Sequence, residues 1–304
     1  MDPNPVLKKL GFSPRDRVAL VHLDDIGMCQ AGIEAYAELL DFGLISCGAV
    51  MVPCPWFPAV AGFARAHPEA DLGIHLTLNC EYESYRWGAV STCDPASGLL
   101  DEQGFMHRTS AQTQATAGPD AVERELEAQM LRALGAGMTP THADTHMGTV
   151  AHIKFMGSYI ALALKYKVPP MMVRLDEDGW RRLAGEHSGV ALDETTLGMA
   201  VQMVRSLEEM GVPLLDALGG LSLDADPQTR LDQAKAAFDA LGPGITHFII
   251  HAAKDTPELR AITPSWPCRT ADYRTFLRPE LRDHIRNSGV QVIGYRAIQS
   301  VMGG

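Results

Sequence analysis

Short apolar, β-branched runs alternate with helix-patterned stretches along almost the whole chain, and this alternation constrains the fold more than any other feature. Strands are expected at Val18–Asp25, Ile45–Val52, Leu72–Leu78, Thr141–His146, Met171–Leu175, Leu214–Leu218, Thr246–Ala252 and Gln291–Tyr295. Helical spacing falls between them, at Asn4–Leu10, Ala31–Leu40, Asp120–Leu134, Val150–Lys167, Glu194–Met210, Pro227–Leu241 and Asp272–Asn287, with a short helix through Arg65 and a loop at Pro264–Arg269. Strands and helices in strict alternation give a parallel α/β sheet. No GxGxxG follows the first strand, so a barrel is favoured over an open dinucleotide-binding sheet. The length of 304 residues admits two domains, but α/β barrels of about 250 residues fold as one. The whole chain, 1–304, is therefore read as one domain with a long loop insertion at about 79–118.

Composition excludes several function classes. Hydrophobic residues make up 46%, enough for a sizeable core. The net charge of −11 argues against nucleic acid, whose phosphates need a basic footprint. It suits a neutral or cationic small molecule. The six cysteines form no CxxC pair and read as reduced thiols. No run approaches a membrane span, and the N-terminus lacks the apolar core of a signal peptide. A cytoplasmic location without a membrane partner is the expectation, and a homodimer is compatible with it.

Polar residues gather where the strands end. Val18–Gly27 reads VALVHLDDIG, an apolar run closed by Asp24 and Asp25. His75 lies near the end of the third strand, Asp144 and His146 end the fourth, and His251 ends the late strand. In parallel sheets, function collects at the carboxyl ends of the strands. Residues two apart share a strand face, so Asp24 and Asp25 start on opposite faces. Gly27 offers a turn that would bring both carboxylates to the mouth. Two imidazoles with a carboxylate form a donor set for zinc with an open position, or for another divalent metal. His22, His142 and His247 sit earlier in their strands and read as interior or supporting residues. His67, His107, His152, His187 and His284 read as surface or loop histidines.

The insertion is aromatic first and Ser/Thr/Gln-rich later. Its Tyr82, Tyr85 and Trp87 would either stack on a sugar ring or pack among themselves. Its polar second half reads as exposed. Arg174, late in the fifth strand, would orient Asp24, bind an anion, or close the barrel with a salt bridge.

Taken together, HLDDIG, GIHLTL (Gly73–Leu78), HADTH, IIHAA and the closing Gly294–Arg296 resemble the YdjC-like family of carbohydrate deacetylases, also called the ChbG/HpnK deacetylases. The resemblance runs from Val18 to Ile298. It implies a distorted TIM-like (β/α) barrel that removes the acetyl group from an N-acetylated sugar. It implies one divalent metal, with zinc favoured and magnesium also compatible, held by Asp25, His75 and His146. Asp24 would be the general base and His251 the acid. Independently of the resemblance, Asp144 is expected to support the ligands, and Tyr85, Trp87 and Arg174 are expected at the substrate. The chain departs from the family where further histidines usually follow the fourth strand; here Met147, Gly148 and Thr149 stand.

Overall fold

The computed structural model describes residues 2–181 and 194–303, which leaves His187 outside the described residues. Its sheet is built on β1 (Arg17–Ile26), which pairs in parallel with β2 (Cys47–Val50) on one side and β6 (Gly244–Ile250) on the other. Outward from β2 come β3 (Leu72–Leu76) and β4 (Ala143–Thr145). Outward from β6 comes β5 (Ala217–Gly220), while the short β7 (Gln291–Val292) pairs with the start of β1. Every pair is parallel, and the sheet curls into a distorted barrel.

The expected fifth strand is reduced to two isolated bridges, Ala143 with Pro170 and Val173 with Leu215. Two adjacent prolines, Pro169 and Pro170, supply no N–H to a ladder, which limits the pairing there. The segment still links β4 to the start of β5, since Met171 N–H donates to Ala143 O at 2.9 Å and Arg174 N–H to Leu215 O at 2.7 Å. This link turns an open sheet into a barrel.

From Val18 to Ile26 every residue of β1 is buried, as befits a parallel strand covered on both faces. Alternation sends Val18, Leu20, His22 and Asp24 to one face. Val18 and Leu20 belong to an apolar floor with Val6, Leu7, Cys47, Ile245 and Tyr295. Polarity therefore rises along that face, from aliphatic floor through histidine to carboxylate.

The outer helices follow their apolar spacing. Helix Pro119–Gly135 buries Val122, Leu126, Met130 and Ala133 as expected, but also Glu125 and Gln129. These two order their surroundings. Glu125 accepts the N–H groups of Val90 and Ser91 at 2.9 and 2.7 Å, and Gln129 bonds both backbone groups of Thr77 at 3.0 and 2.7 Å. The later part of the insertion, read as merely exposed, instead holds a helix at Ser110–Thr116 started by a capping box of Thr109 and Gln112. The expected loop at 264–269 runs into helix Trp266–Phe276, and Pro279 begins a separate helix, Pro279–Asn287. Among the described residues no helix is long and apolar enough to cross a membrane.

One buried ion pair ties this outer layer to the end of β6. Arg230 Nε lies 2.5 Å from Asp272 Oδ1, with both side chains inaccessible to solvent, and Asp272 Oδ2 accepts the His251 N–H at 3.0 Å. Asp272→Ala would leave the buried guanidinium with Ser222 O and Gln233 Oε1 but without a counter-charge. It is expected to destabilise the fold by about 3–5 kcal/mol, read from the midpoint of denaturant unfolding, whereas a loss within experimental error would mean the pair is dispensable.

Candidate active site and metal centre

The chain turns at Asp25 itself. Pairing of β1 with β2 slips between Leu23 and Ile26, and Asp25 takes φ 62, a left-handed conformation rare outside glycine. Gly27 follows with φ 93. Sequence reasoning placed the turn on Gly27 alone; the aspartate shares it, at a conformational cost of about 1–2 kcal/mol. The result is that the carboxylates of Asp24 and Asp25 both reach the same imidazole. His75 Nε2 is 3.8 Å from Asp24 Oδ2 and 3.4 Å from Asp25 Oδ1.

His146, at the end of β4, completes the group with Nδ1 at 3.2 Å from Asp25 Oδ1. One donor atom each from Asp25, His75 and His146 lies within 4.8 Å of the others, and all three residues are buried. Asp25 Oδ1 is buried and accepts no well-formed hydrogen bond. A cation bound tetrahedrally at about 2.0–2.1 Å spaces its ligand atoms by about 3.3 Å, which the two imidazole–carboxylate separations match. These three residues therefore fit a metal ion.

The groups behind them fix which nitrogens face inward. Asp144 Oδ1 holds His75 Nδ1 at 2.8 Å, and Glu81 Oε2 holds His146 Nε2 at 2.9 Å. Each ring is left with its other nitrogen directed at Asp25, the arrangement that orients metal-binding histidines. Register explains the first pair, since His75 and Asp144 are direct cross-strand partners. Arg269 takes the second oxygen of Asp25, with Nη1 to Oδ2 at 2.8 Å, and its other nitrogen reaches the Tyr82 hydroxyl at 3.3 Å.

Charge follows from this geometry. Burial alone would raise the Asp25 pKa, but the Arg269 guanidinium and the two imidazoles outweigh it and hold the carboxyl well below its usual range. Asp24 is likewise held down against burial, by the charge of His75 and the hydrogen bond from His22. Burial would lower His75, yet Asp144 and Asp24 lift it well above 6.5. Against the same effect of burial, Glu81 and Asp25 raise His146 to about 9. Burial prevails at His251, which is lowered.

The expected substrate contacts divide. Tyr85 is half-buried, and its hydroxyl donates to Met28 O at 2.5 Å. Trp87 is only 3% exposed and meets His146 edge-on at 6.4 Å between ring centroids, so it backs that imidazole rather than offering a free stacking face. Arg174 follows the salt-bridge reading and not the substrate one. It lies at the opposite end of the barrel, bonded to Glu208 at 2.5 Å and Asp216 at 3.2 Å, where β6 begins. It is the barrel-closing salt bridge, not a substrate ligand. His251 has a half-buried ring whose Nδ1 is without a partner. Asp24 and Asp25 both act on its charge, which places it electrostatically with the pair.

Glu81 and Arg269 escaped sequence reasoning. Glu81 hides in an apparently irregular insertion, with only its place just beyond the third strand as a signal. Arg269 sits where prolines suggested loop.

A family model described as YdjC-like protein matches residues 18–287. A carbohydrate deacetylase of Thermus thermophilus is 32% identical over 283 residues, spanning 91% of this chain and 92% of the relative. A carbohydrate deacetylase of Brevibacillus brevis is 32% identical over 150 residues, 49% of this chain and 57% of that protein. In fold, the chain is similar to a solved protein of Enterococcus faecalis V583, described as a candidate for cellobiose-phosphate cleavage. That match has a TM-score of 0.71 at 18% identity and covers 93% of this chain and 99% of the other.

A cation entering the three-donor group must displace imidazole protons. Its affinity is expected to climb as pH rises from 6.5 toward about 9, which chelator competition would measure; a flat profile across that window would contradict the assignment. Glu81→Ala should weaken cation binding by about 10–100-fold in the same assay, by freeing the His146 ring.

Proposed function

The chain belongs to the YdjC-like family, and from that premise we propose that it is a metal-dependent hydrolase removing acetyl groups from N-acetylated amino sugars or oligosaccharides, with release of acetate. The observation carrying this reading is the buried, partnerless Asp25 Oδ1 facing two oriented imidazoles. Two nitrogens and one oxygen at tetrahedral spacing favour zinc over magnesium, which prefers oxygen ligands in an octahedron. A divalent cation held there supplies Lewis acidity to the acetamide carbonyl and makes a nearby water easier to deprotonate.

The chain's own groups do the rest. Asp24 stays ionised and is clamped through Oδ1 by His22 at 2.6 Å. Its other oxygen is left to take the proton of the attacking water as the carbonyl carbon is attacked. Arg269 keeps Asp25 ionised and fixed beside it. His251 then protonates the departing nitrogen. The proton is the one Asp24 took from water: a lowered pKa leaves the His251 ring neutral at rest, and once the ring receives that proton it gives it up readily to the leaving nitrogen. The products are acetate and a free amino sugar. Tyr82, bonded to Arg269, and Tyr85 supply wall on the insertion side of the mouth.

Acetate release from N-acetylglucosamine oligomers and from O-acetylated sugars would distinguish amide from ester hydrolysis. The expected result is release from the N-acetyl substrates, abolished by chelation and restored by zinc. Asp24→Asn should retain metal and lose about 10²–10⁴-fold in kcat. His75→Ala should lose the metal itself. Full activity in Asp24→Asn would remove that residue from the role of base.

A further inference from the structure

Behind Asp24 the barrel interior is filled by imidazoles. His22, His142 and His247 are all fully buried. His22 Nδ1 lies 2.6 Å from Asp24 Oδ1, and its Nε2 lies 2.8 Å from His142 Nε2. His142 Nδ1 lies 3.0 Å from Thr141 Oγ1, and that hydroxyl also meets Asp71 Oδ1. The second oxygen of Asp71 accepts the Arg296 N–H at 2.7 Å. Asp71 directly precedes β3, so the row descends from the carboxyl end of one strand to the amino end of another.

Counting donors along this row is decisive. Each contact needs one proton and one lone pair, and an ionised Asp24 can only accept. His22 Nδ1 must therefore donate to it. With His142 neutral, as burial and the neighbouring imidazoles keep it, two arrangements satisfy every remaining link. In one, Asp71 is protonated and donates to Thr141, Thr141 donates to His142 Nδ1, and His142 Nε2 donates to His22. In the other, His22 is doubly protonated and donates to His142 Nε2, His142 Nδ1 donates to Thr141, and Thr141 donates to an ionised Asp71. Both arrangements contain the same protons. They interconvert when one proton shifts across each of the links between Asp71 and His22. One O–H bond is lost at Asp71, one N–H bond is gained at His22, and nothing else is consumed.

We infer that Asp24, His22, His142, Thr141 and Asp71 form a buried proton relay that sets the charge facing Asp24. The inference rests on the reading of Asp24 as the base. A neutral and a cationic His22 present different charge to the Asp24 carboxylate across the 2.6 Å contact. Burial raises the Asp71 pKa against the hydrogen bonds from Arg296 and Thr141. His142 is neutral in both arrangements, in keeping with its lowered pKa.

The packing around the row holds it in line. A Cβ on Gly73 would lie 2.5 Å from the His142 ring, and one on Gly294 would lie 2.2 Å from Asp71 Oδ2. Tyr295 stacks on His142 at 3.8 Å between centroids, and its hydroxyl is 2.8 Å from His247 Nδ1. The closing Gly294–Arg296 motif thus clasps the relay with three successive residues. His22, Asp24, Asp144 and His247 also bring donor atoms within 4.8 Å of one another. Both nitrogens of His22 are already committed, however, at 2.6 and 2.8 Å, which favours a relay over a second cation there.

Long-range 1H–15N correlation spectra of the labelled full chain report which ring nitrogens carry protons, independently of turnover. The expected resting pattern is a neutral His22 protonated on Nδ1 and a neutral His142 protonated on Nε2, assigned with His22→Gln and His142→Gln. A doubly protonated His22 beside a His142 protonated on Nδ1 would place the proton at the relay's other end and also support it. His22 protonated on Nε2 alone, or His142 on both nitrogens, would overturn it whatever the activity. Thr141→Val cuts the row away from the metal ligands, and Asp71→Asn replaces the movable proton with a permanent donor. Each should lower kcat about tenfold with KM and bound metal unchanged, and Thr141→Ser should restore it. Undiminished kcat in either Thr141→Val or Asp71→Asn overturns the relay. Full activity in Asp24→Asn would sink the deacetylase mechanism while leaving the spectra intact.

Discussion

Two adjacent carboxylates at the end of a buried strand repel each other and lose their hydration, so this barrel mouth depends on how their charge is balanced. Arg269 does the largest share at Asp25, approaching one oxygen at 2.8 Å and leaving the other to the imidazoles. Without that cation, the cheapest response of a buried aspartate would be to take up a proton. A protonated Asp25 would offer a metal nothing. Helix Trp266–Phe276, which carries Arg269, also carries Asp272, and Asp272 holds the backbone of His251. One helix outside the barrel therefore fixes both the charge of the carboxylate pair and the position of the histidine across from it.

The barrel was legible because burial on both faces leaves continuous apolar runs, and such runs end where polarity begins. Asp24, Asp25, His75, Asp144 and His146 were visible for the same reason. What the sequence concealed lies in segments with no period. Glu81 belongs to an insertion tied in part to Glu125 on a distant helix, which accepts the N–H groups of Val90 and Ser91, and no local pattern announces that. Arg269 was hidden by prolines that start a helix rather than break one. Arg174 was misplaced because a residue late in a strand was taken to face the mouth, whereas that strand hardly forms and its arginine bonds at the barrel floor. The left-handed turn at Asp25 could not be read at all, since alternation assumes a regular strand.

The histidines inside the barrel show how one face can change its chemistry along its length. Aliphatic packing at the floor gives stability that needs no partners. The imidazole layer above it has to be hydrogen-bonded in register, because each unmatched buried nitrogen is costly. His247 Nε2 and Asp144 Oδ2 are both buried and without a hydrogen-bond partner in this layer, a cost the fold carries just beneath its catalytic end.

Glu81 holds His146, one of the three residues that fit a metal ion, and Trp87 backs the same ring, so residues 79–118 do not merely cover the mouth. Surface insertions are the parts of a barrel most readily exchanged between relatives as substrates diverge. Here such an exchange would carry metal affinity along with specificity. A graft of this segment would transplant half of a coordination sphere's support, and cation retention and substrate range could not drift independently.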